Sequence, residues 1–529
     1  MDICSAPPRC HNGKGNVWER RIEMGTKILV FGVDAMEMRL ILDWIEDGTL
    51  PALASLKERS AWGPVINPSR MHQSALWSNF YTGVGPDRHG QYIRNVFDPL
   101  RYSFTAQRPE SDKVKAFWLR DGLREKRVAV INMPSAPLDK GINGMQVVEW
   151  GMHDCHHKSI TTSPPELAAE ILAQFGDDPV GICDVNERTP AAFRDFRDRL
   201  IRRIRAKSEM ARHYLASDQW DLFIAVLDET HSGGHQCWHL HDPAHPLHDR
   251  HLEAELGDPI KDIYVEVDRA LGQILELVDD TTTVLFLTDL GMGPALDGTR
   301  VLDEILRRIE GRSLSSGPRT VAALKAMWSA MPHWMQAVAR PLRWRLGPRL
   351  HDKLHTNERS QRRCFWHPTQ DPGGGIRINL VGRESHGLVQ PGPECEAFTE
   401  HLIEELHQLV DGRSGKPMVS EVVPTRDLNL GEDSGDLPDL IVRWAIASPT
   451  SIESSTVGRI DPVYTSHKGD HDINMTGVFL ATGPGVMPGA LNNSVKLEDF
   501  APTIASLLGA PLEDTDGVPI AAVCNSNTG

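Results

Sequence analysis

Three side chains that could do chemistry follow short apolar runs in the sequence. Asp34 comes directly after residues 28–33, and His231 and His235 come shortly after residues 222–227. Two imidazoles four residues apart lie on one face of a helix, where they can bind the same metal ion. A carboxylate in such a position can cap a helix, bind an ion or act as a general base. We expect the histidine pair to bind a metal rather than to lie in a solvated loop.

A sheet is needed to position these side chains. Continuous apolar runs of this length are typical of buried parallel strands. They occur at residues 28–33, 127–131, 222–227, 283–287 and 477–480. Helical patterns at 186–216 and 262–278 alternate with them, which predicts an α/β fold with a mixed or parallel sheet and helices on both faces. Ligands bind beyond the carboxyl ends of such strands, where Asp34 and the two histidines are expected.

The composition is that of an acidic globular protein. The 529 residues include 56 Lys and Arg against 72 Asp and Glu, which gives a net charge of −16. Hydrophobic residues make up 40% and charged residues 24%, which excludes a disordered, collagen-like or disulfide-scaffold protein. We expect no nucleic-acid partner, because nucleic-acid binders normally present a basic field. At about 150 residues per domain, the length suits several domains or one large α/β domain with insertions.

The cysteines and the apolar segments bear on where the protein resides. No two of the eight cysteines form a CxxC motif, which favours reduced thiols of a cytoplasmic protein over disulfides or a zinc knuckle. No apolar run approaches the ~18 residues of a transmembrane helix. The first 24 residues lack the apolar core of a signal peptide and are predicted to form a loose leader.

A series of segments, in chain order, carries a resemblance to a known family. The first is Asp34 together with residues 68–90, which contain Trp77, Thr82-Gly83 and His89-Gly90. The others are residues 227–238, 288–293, 376–384, 438–442, 467–484 and 497–503. This ordered set resembles the type I phosphodiesterase and nucleotide pyrophosphatase branch of the alkaline phosphatase superfamily. It covers roughly residues 27–520.

The resemblance implies an alkaline-phosphatase-like fold, in which helices sandwich a central mixed or parallel sheet. Its expected parts are a leader at 1–24, a first part of the core at 25–310, a basic helical insertion at 311–368 and a second part at 369–529, with a smaller subregion around 376–460. The insertion is expected to be a solvated helical segment or a homodimer contact. A lid over an anionic substrate and a membrane-surface patch are the alternatives.

The nucleophile position departs from the family pattern. Family members use two metal ions, and a Thr or Ser alkoxide attacks the phosphoryl or sulfuryl group. Counted back from Trp77, that position falls on Gln73, an amide that cannot become an alkoxide. Ser74 takes the role if the alignment slips by one residue, and otherwise it is an ordinary helix-start residue. His72 and Ser69 are further candidates without better support.

The resemblance also carries over six metal-ligand positions, of which five hold competent ligands. Asp34, His235, Asp289 and His471 match the family in type, His231 replaces an aspartate, and Leu290 stands where the family has a histidine. Asp470, next to His471, is expected to orient that imidazole.

Regrouped, the surviving ligands suggest one imidazole site and one carboxylate site. His231, His235 and His471 would hold one zinc with an open fourth position, a set that lowers the pKa of bound water to about 7. Asp34 and Asp289 remain for a harder second divalent ion, for substrate hydrogen bonds or for general-base catalysis. We expect one zinc per chain, with the metal-bound water favoured over Ser74 as nucleophile.

The implied function is that of a metal-dependent hydrolase or transferase acting on a phosphate ester or anhydride, with a small anionic substrate. Two alternatives stay open: a reaction at a centre other than phosphorus, and a pseudoenzyme that binds without turnover. Other polar residues near the same edge of the sheet are predicted to have loop or surface roles. They are His153, Asp154, His156, His157, Glu229, His239, His241, His245 and His248.

Overall fold

The computed structural model describes most of the chain. The described residues are 27–67, 76–92, 95–106, 113–153, 160–181, 185, 189–295, 298–312, 358–369, 373–428, 437–446, 451–461, 467–471 and 476–524. Gln73 and Ser74, the candidate nucleophile positions, lie outside them, as do the predicted leader 1–24 and most of the predicted insertion.

The described secondary structure alternates between strands and helices over most of its length. The helices are α1 (Met38–Glu46), α2 (Pro51–Glu58), α3 (Leu76–Thr82), α4 (Pro86–His89), α5 (Leu167–Phe175), α6 (Pro190–Leu215), α7 (Glu229–His241), α8 (Arg250–Leu256), α9 (Pro259–Leu275), α10 (Gly298–Ile309), α11 (Pro393–His407), α12 (Phe500–Leu507) and α13 (Ala521–Cys524). The strands are β1 (Ile28–Val33), β2 (Ala61–Ile66), β3 (Asn95–Asp98), β4 (Ser103–Ala106), β5 (Val128–Ile131), β6 (Gly144–Val148), β7 (Thr161–Ser163), β8 (Leu222–Leu227), β9 (Thr283–Thr288), β10 (Met292–Pro294), β11 (Cys364–His367), β12 (Gly374–Ile378), β13 (Val410–Asp411), β14 (Val419–Pro424), β15 (Leu440–Trp444), β16 (Ile452–Ser454), β17 (Gly458–Ile460), β18 (Gly469–His471), β19 (Thr476–Thr482), β20 (Gly489–Ala490) and β21 (Val495–Lys496).

A ten-stranded mixed sheet forms the centre of the described structure. Its order is β20-β2-β19-β9-β1-β8-β5-β6-β7, with β21 beside β2. The strands from β9 to β6 run parallel, whereas β19 is antiparallel to β9 and β7 is antiparallel to β6. Every residue of β1, β8 and β9 is buried, as expected for parallel strands with both faces covered. The predicted α/β fold class is confirmed, and each of the predicted strands is present.

The register of the central strands brings three carboxylates to one edge of the sheet. Val33 at the end of β1 pairs with Leu227 of β8 on one side and with Thr288 of β9 on the other. The next residue of each strand is an aspartate: Asp34, Asp228 and Asp289. Because the three strands are parallel and end in register, their carboxyl ends form the floor of a candidate site.

A second hydrophobic core surrounds a smaller antiparallel sheet of order β11-β12-β15-β14. Helix α10 packs into this core through Val301, Leu302, Ile305 and Leu306, although the sequence assigns it to the first part of the main core, 25–310. Strand β11 lies within the predicted helical insertion 311–368 but pairs with β12. The smaller region therefore includes chain on both sides of residues 313–357, which lie outside the described residues.

Among the described residues, no helix combines the length and the apolar character that crossing a membrane requires. The cysteines described as free thiols are Cys237, Cys364, Cys395 and Cys524. Burial raises the pKa of the Cys237 thiol to about 12, so this cysteine stays protonated and acts as a core residue.

The buried carboxyl group of Glu498 connects α3 to the start of α12. Asn79 Nδ2 donates to Glu498 Oε1 at 2.9 Å, and His89 Nε2 lies 2.8 Å from Asn79 Oδ1. Burial raises the pKa of Glu498 to about 7. The unfolded chain releases this proton near pH 4.5, so between the two pKa values the folded state holds a proton that the unfolded state has lost.

Because of Glu498, the free energy of unfolding falls as the pH rises from 4.5 to about 7. From pH 5 to pH 7, Glu498 is expected to lower the free energy of unfolding by about 2 kcal/mol. Denaturant unfolding of the wild type and of Glu498→Gln at both pH values isolates this contribution, because glutamine does not titrate. Equal changes with pH in the two proteins would contradict the prediction.

Candidate active site

Asp34 is held on both of its carboxylate oxygens. Trp77 Nε1, from α3, donates to Oδ1 at 3.1 Å, and His231 Nδ1 lies 2.7 Å from Oδ2. The Thr230 hydroxyl donates to the main-chain oxygen of Asp34 at 2.6 Å. These contacts aim the carboxylate at the first turn of α7, where it orients the His231 ring.

Asp289 lies beside Asp34, and its pKa shifts in the opposite direction. Its Oδ1 accepts a hydrogen bond from the Ala35 main-chain N–H at 2.9 Å. Burial, and then the negative charge of Asp34, raise the pKa of Asp289 well above its usual value. Burial also acts to raise the pKa of Asp34, but the charge and hydrogen bond of His231 outweigh it and the net shift is downward. The pair is therefore arranged to hold one proton, on Asp289, with Asp34 ionised.

Helix α7 presents two histidines on one face. His235 Nδ1 lies 2.8 Å from the Gly469 carbonyl oxygen, which can only accept, so Nδ1 carries the proton. Burial lowers the pKa of His235, and the neighbouring imidazoles lower it further, so the ring is neutral with its lone pair on Nε2. That Nε2 lies 3.0 Å from His231 Nε2. Two nitrogens bound to one tetrahedral zinc are about 3.3 Å apart, so the donor pair fits such an ion.

A two-stranded ribbon, β10 with β18, carries His471 to the same place. Met292 pairs with His471 in this ribbon, and Lys468 N donates to the His235 carbonyl oxygen at 2.6 Å. The His471 ring centroid lies 4.6 Å from that of His231 and 5.1 Å from that of His235. Asp470 Oδ1 accepts from the His471 main-chain N–H at 2.9 Å. The three predicted imidazoles are thus neighbours in space.

Two glycines allow the ribbon to approach α7 so closely. A Cβ on Gly469 would lie 2.3 Å from the Gly234 carbonyl oxygen, and one on Gly234 would lie 2.7 Å from Met292 Cγ. No real side chain tolerates a backbone contact of 2.3 Å, so larger residues would separate the ribbon from the helix.

Gly469→Ala is therefore expected to destabilise the protein by about 1–3 kcal/mol and to weaken metal binding, because β18 must move away from α7. Gly293→Ala is the matched control, since Gly293 faces Asp470 in the same ribbon and its Cβ would meet nothing within 4 Å. Thermal unfolding and zinc content of both variants check the prediction. Equal behaviour of the two variants would refute it.

A fully buried ionic cluster lies behind α7. Glu229 Oε1 contacts Arg203 Nε at 2.7 Å and Lys207 Nζ at 2.8 Å, and Lys207 also binds Asp228. The surface role predicted for Glu229 is wrong, because its side chain is 0% exposed. Two cations on α6 compensate the two carboxylates at the start of α7, so the charges can be buried together.

His153, which follows β6, also lies beside the histidines of α7. Its ring stacks on that of His231 with centroids 4.4 Å apart. The potential ligand atoms of His153, His231 and His235 lie within 4.8 Å of one another, and so do those of His235, Asp470 and His471. His235 belongs to both groups, and the predicted trio of His231, His235 and His471 is divided between them.

The structure brings together most of the predicted site residues. Asp34, Asp289, His231, His235 and His471 converge at the carboxyl ends of β1, β8 and β9, whereas Gln73 and Ser74 lie outside the described residues. Leu290 is buried in the core, as a residue that has lost a ligand role can be. Sequence reasoning missed Trp77 as a partner of Asp34 and gave His153 a loop or surface role. The position of His153 shortly after β6, a parallel strand of the main sheet, was the available signal for it.

A family model and two solved proteins are similar to this chain. A family model described as type I phosphodiesterase/nucleotide pyrophosphatase matches residues 28–445. Phosphonoacetate hydrolase from Sinorhizobium meliloti, solved with phosphonoformate and with phosphonoacetate, is 13% identical, with a TM-score of 0.48 over 92% of this chain and 96% of that chain. An inactive form of murine ectonucleotide pyrophosphatase/phosphodiesterase 5 with AMP is 12% identical, with a TM-score of 0.46 over 93% of this chain and 97% of that chain.

No curated protein matches the sequence. The family match spans most of the 529 residues and includes Asp34, Asp289 and both histidines of α7. The chain belongs to the type I phosphodiesterase/nucleotide pyrophosphatase family.

Proposed function

We propose that this protein is a metal-dependent hydrolase of phosphate esters or anhydrides, with one zinc ion per chain in a histidine-rich site. The observation that carries the proposal is the convergence of His231, His235 and His471 beside Asp34 and Asp289. Imidazole nitrogens are donors that zinc prefers, and the second nitrogens of His231 and His235 each face an oxygen that can orient the ring.

Each protein group has a separate task in this proposal. His231, His235 and His471 would hold the ion, which supplies Lewis-acid stabilisation of the transferred group and activation of the attacking oxygen. Asp34 orients His231 through Nδ1, and the Gly469 carbonyl oxygen orients His235 in the same way. When no second ion is bound, Asp289 would hold a proton that it can donate to a substrate oxygen or share with Asp34.

The second metal position and the nucleophile are the atypical parts of the proposal. Asp34 Oδ2 already contacts His231, and Leu290 is buried in the core. A second divalent ion would therefore depend mainly on Asp289 for its protein ligands. Gln73 offers no alkoxide, so the proposal favours water as the nucleophile over Ser74. In this proposal the substrate is a small anion. The protein would be cytoplasmic and would form a homodimer through residues 311–368.

Elemental analysis with a substrate screen tests the proposal. We expect about one zinc per chain in the wild type, a loss of zinc in His231→Ala and retained zinc in Asp34→Ala. Chelation should stop hydrolysis of a phosphodiester such as bis(p-nitrophenyl) phosphate, and added zinc should restore it.

Three other outcomes of these measurements would change or overturn the proposal. Two metals per chain, with one lost in each variant, would restore ordinary two-metal chemistry and Ser74 as nucleophile. A metal-loaded protein that cleaves only sulfate or carboxylate esters would move the reaction away from phosphorus. Absence of metal after reconstitution with zinc or manganese would overturn the hydrolase proposal and leave a binding module.

A further inference from the structure

His153 occupies a position that the family ligand set does not include. It lies five residues after the end of β6, and its main-chain N–H donates to Asp228 Oδ2. Its Nδ1 lies 3.0 Å from Ser232 Oγ. The ring is stacked on His231 at an interplanar angle of 26° and on His235 at 29°, with centroids 4.4 Å and 5.4 Å away. Its main chain is therefore held by Asp228, and its ring lies against the two histidines of α7.

The ring nitrogens of His153 also lie near those of the two α7 histidines. One potential ligand atom of His153 lies within 4.8 Å of those of His231 and His235. A zinc ion with Zn–N bonds of about 2.0–2.1 Å needs its nitrogens about 3.3 Å apart, so the His153 ring would have to turn out of the stack when the ion binds. The two α7 histidines already meet through Nε2 at 3.0 Å.

The partners of His153 resemble those that orient a metal-bound imidazole. Such a histidine donates its second ring N–H to an oxygen, which fixes the tautomer and the ring plane. Ser232 Oγ has two lone pairs, so it can accept from His153 Nδ1 and from Arg203 Nη2, which lies 3.4 Å away. Nε2 of His153 is then the nitrogen that carries a lone pair.

The anchors of His153 are rigid because they belong to the buried ionic cluster. Asp228 and Ser232 are both fully buried, and Lys207 and Arg203 neutralise Asp228 and Glu229 from α6. Through Asp228 and Ser232, the cluster holds His153 against the start of α7.

We propose that His153 is a direct ligand of the metal ion together with His231 and His235, and that Ser232 is the residue that positions it. The proposal rests on the proposed function, since it concerns the same ion. It adds a ligand from the segment after β6, which contributes none in the family pattern. His471, which is grouped with His235 and Asp470, then completes the set as a fourth ligand.

Zinc affinity measured by competition with a chromophoric chelator tests this assignment. His153→Ala and His153→Gln both keep the main-chain donor to Asp228, and each is expected to weaken zinc binding by about 100-fold or more. X-ray absorption at the zinc edge should show one imidazole fewer in both variants. His213→Ala, on the exposed face of α6, is the control and should change neither quantity.

Ser232→Ala tests the positioning role separately. It should weaken zinc binding by about 10-fold, within the range for an outer partner of a metal ligand, and Ser232→Thr should restore it. Circular dichroism and thermal unfolding of each variant establish that it is folded.

The results separate failure of this inference from failure of the proposed function. If His153→Ala and His153→Gln bind zinc as tightly as the wild type while His235→Ala does not, the metal site stands and His153 is not a ligand. If the wild type binds no zinc, both proposals fall. A full imidazole count in a folded His153→Ala protein would also overturn the inference.

Discussion

Replacing His235 by alanine is expected to remove the bound metal and to lower phosphodiester hydrolysis by about three orders of magnitude or more. His235 is shared by both candidate ligand groups, so its loss leaves neither group with three ligands. A factor of 1,000 corresponds to about 4 kcal/mol of transition-state stabilisation, the scale of a catalytic metal ion. The measurements are kcat/KM for bis(p-nitrophenyl) phosphate and zinc content per chain.

His213→Ala is the control for this substitution. His213 is exposed on α6 and its Nδ1 lies 3.3 Å from Gln174 Nε2, away from the carboxyl ends of the central strands. It should keep wild-type zinc content and activity. A folded His235→Ala protein that retained both zinc and turnover would contradict the metal site itself.

Replacing Glu229 by glutamine is expected to destabilise the protein by about 3–5 kcal/mol. The substitution keeps the shape of the side chain but removes the carboxylate that contacts both Arg203 and Lys207. All three side chains are at most 1% exposed, so water cannot replace the lost charge. Because the cations stay buried with fewer anions, the penalty exceeds the value of the lost contacts.

An exposed pair of the same residue types provides the comparison. Glu255 Oε1 lies 3.2 Å from Arg194 Nη2, and the two side chains are 54% and 44% exposed. Glu255→Gln should change stability by less than about 1 kcal/mol, since solvent screens this pair. Denaturant unfolding of both variants at neutral pH gives the two values. A Glu229→Gln protein as stable as Glu255→Gln would show that the cluster is not a closed buried network.

Much of the fold could be predicted because buried parallel strands have a local signature. β1, β8 and β9 are apolar at nearly every position, and a turn or polar residue marks each end. The same logic placed Asp34 and the α7 histidines at the mouth of the sheet. The core that α10 enters could not be predicted, because the apolar face of a helix does not reveal which of two cores it packs against.

The buried cluster could not be predicted from local sequence. Glu229 at the first turn of a helix is a common solvated position, and its partners are on α6, 22 and 26 residues earlier in the chain. Their sequence neighbourhood is rich in arginine, which is typical of an exposed helix. Only the packing of α6 against α7 turns these charges inward.

The sequence by itself determined the α/β architecture, the family and the set of ligand-type residues, because hydrophobic periodicity and motif order are properties of the chain. The tertiary structure decided which partners those residues have. Asp34 is occupied by His231 and Trp77, His235 is oriented by a carbonyl oxygen of β18, and His153 enters from beyond β6. These relations depend on the in-register ends of parallel strands and on glycine contacts between distant segments, and neither has a local signal.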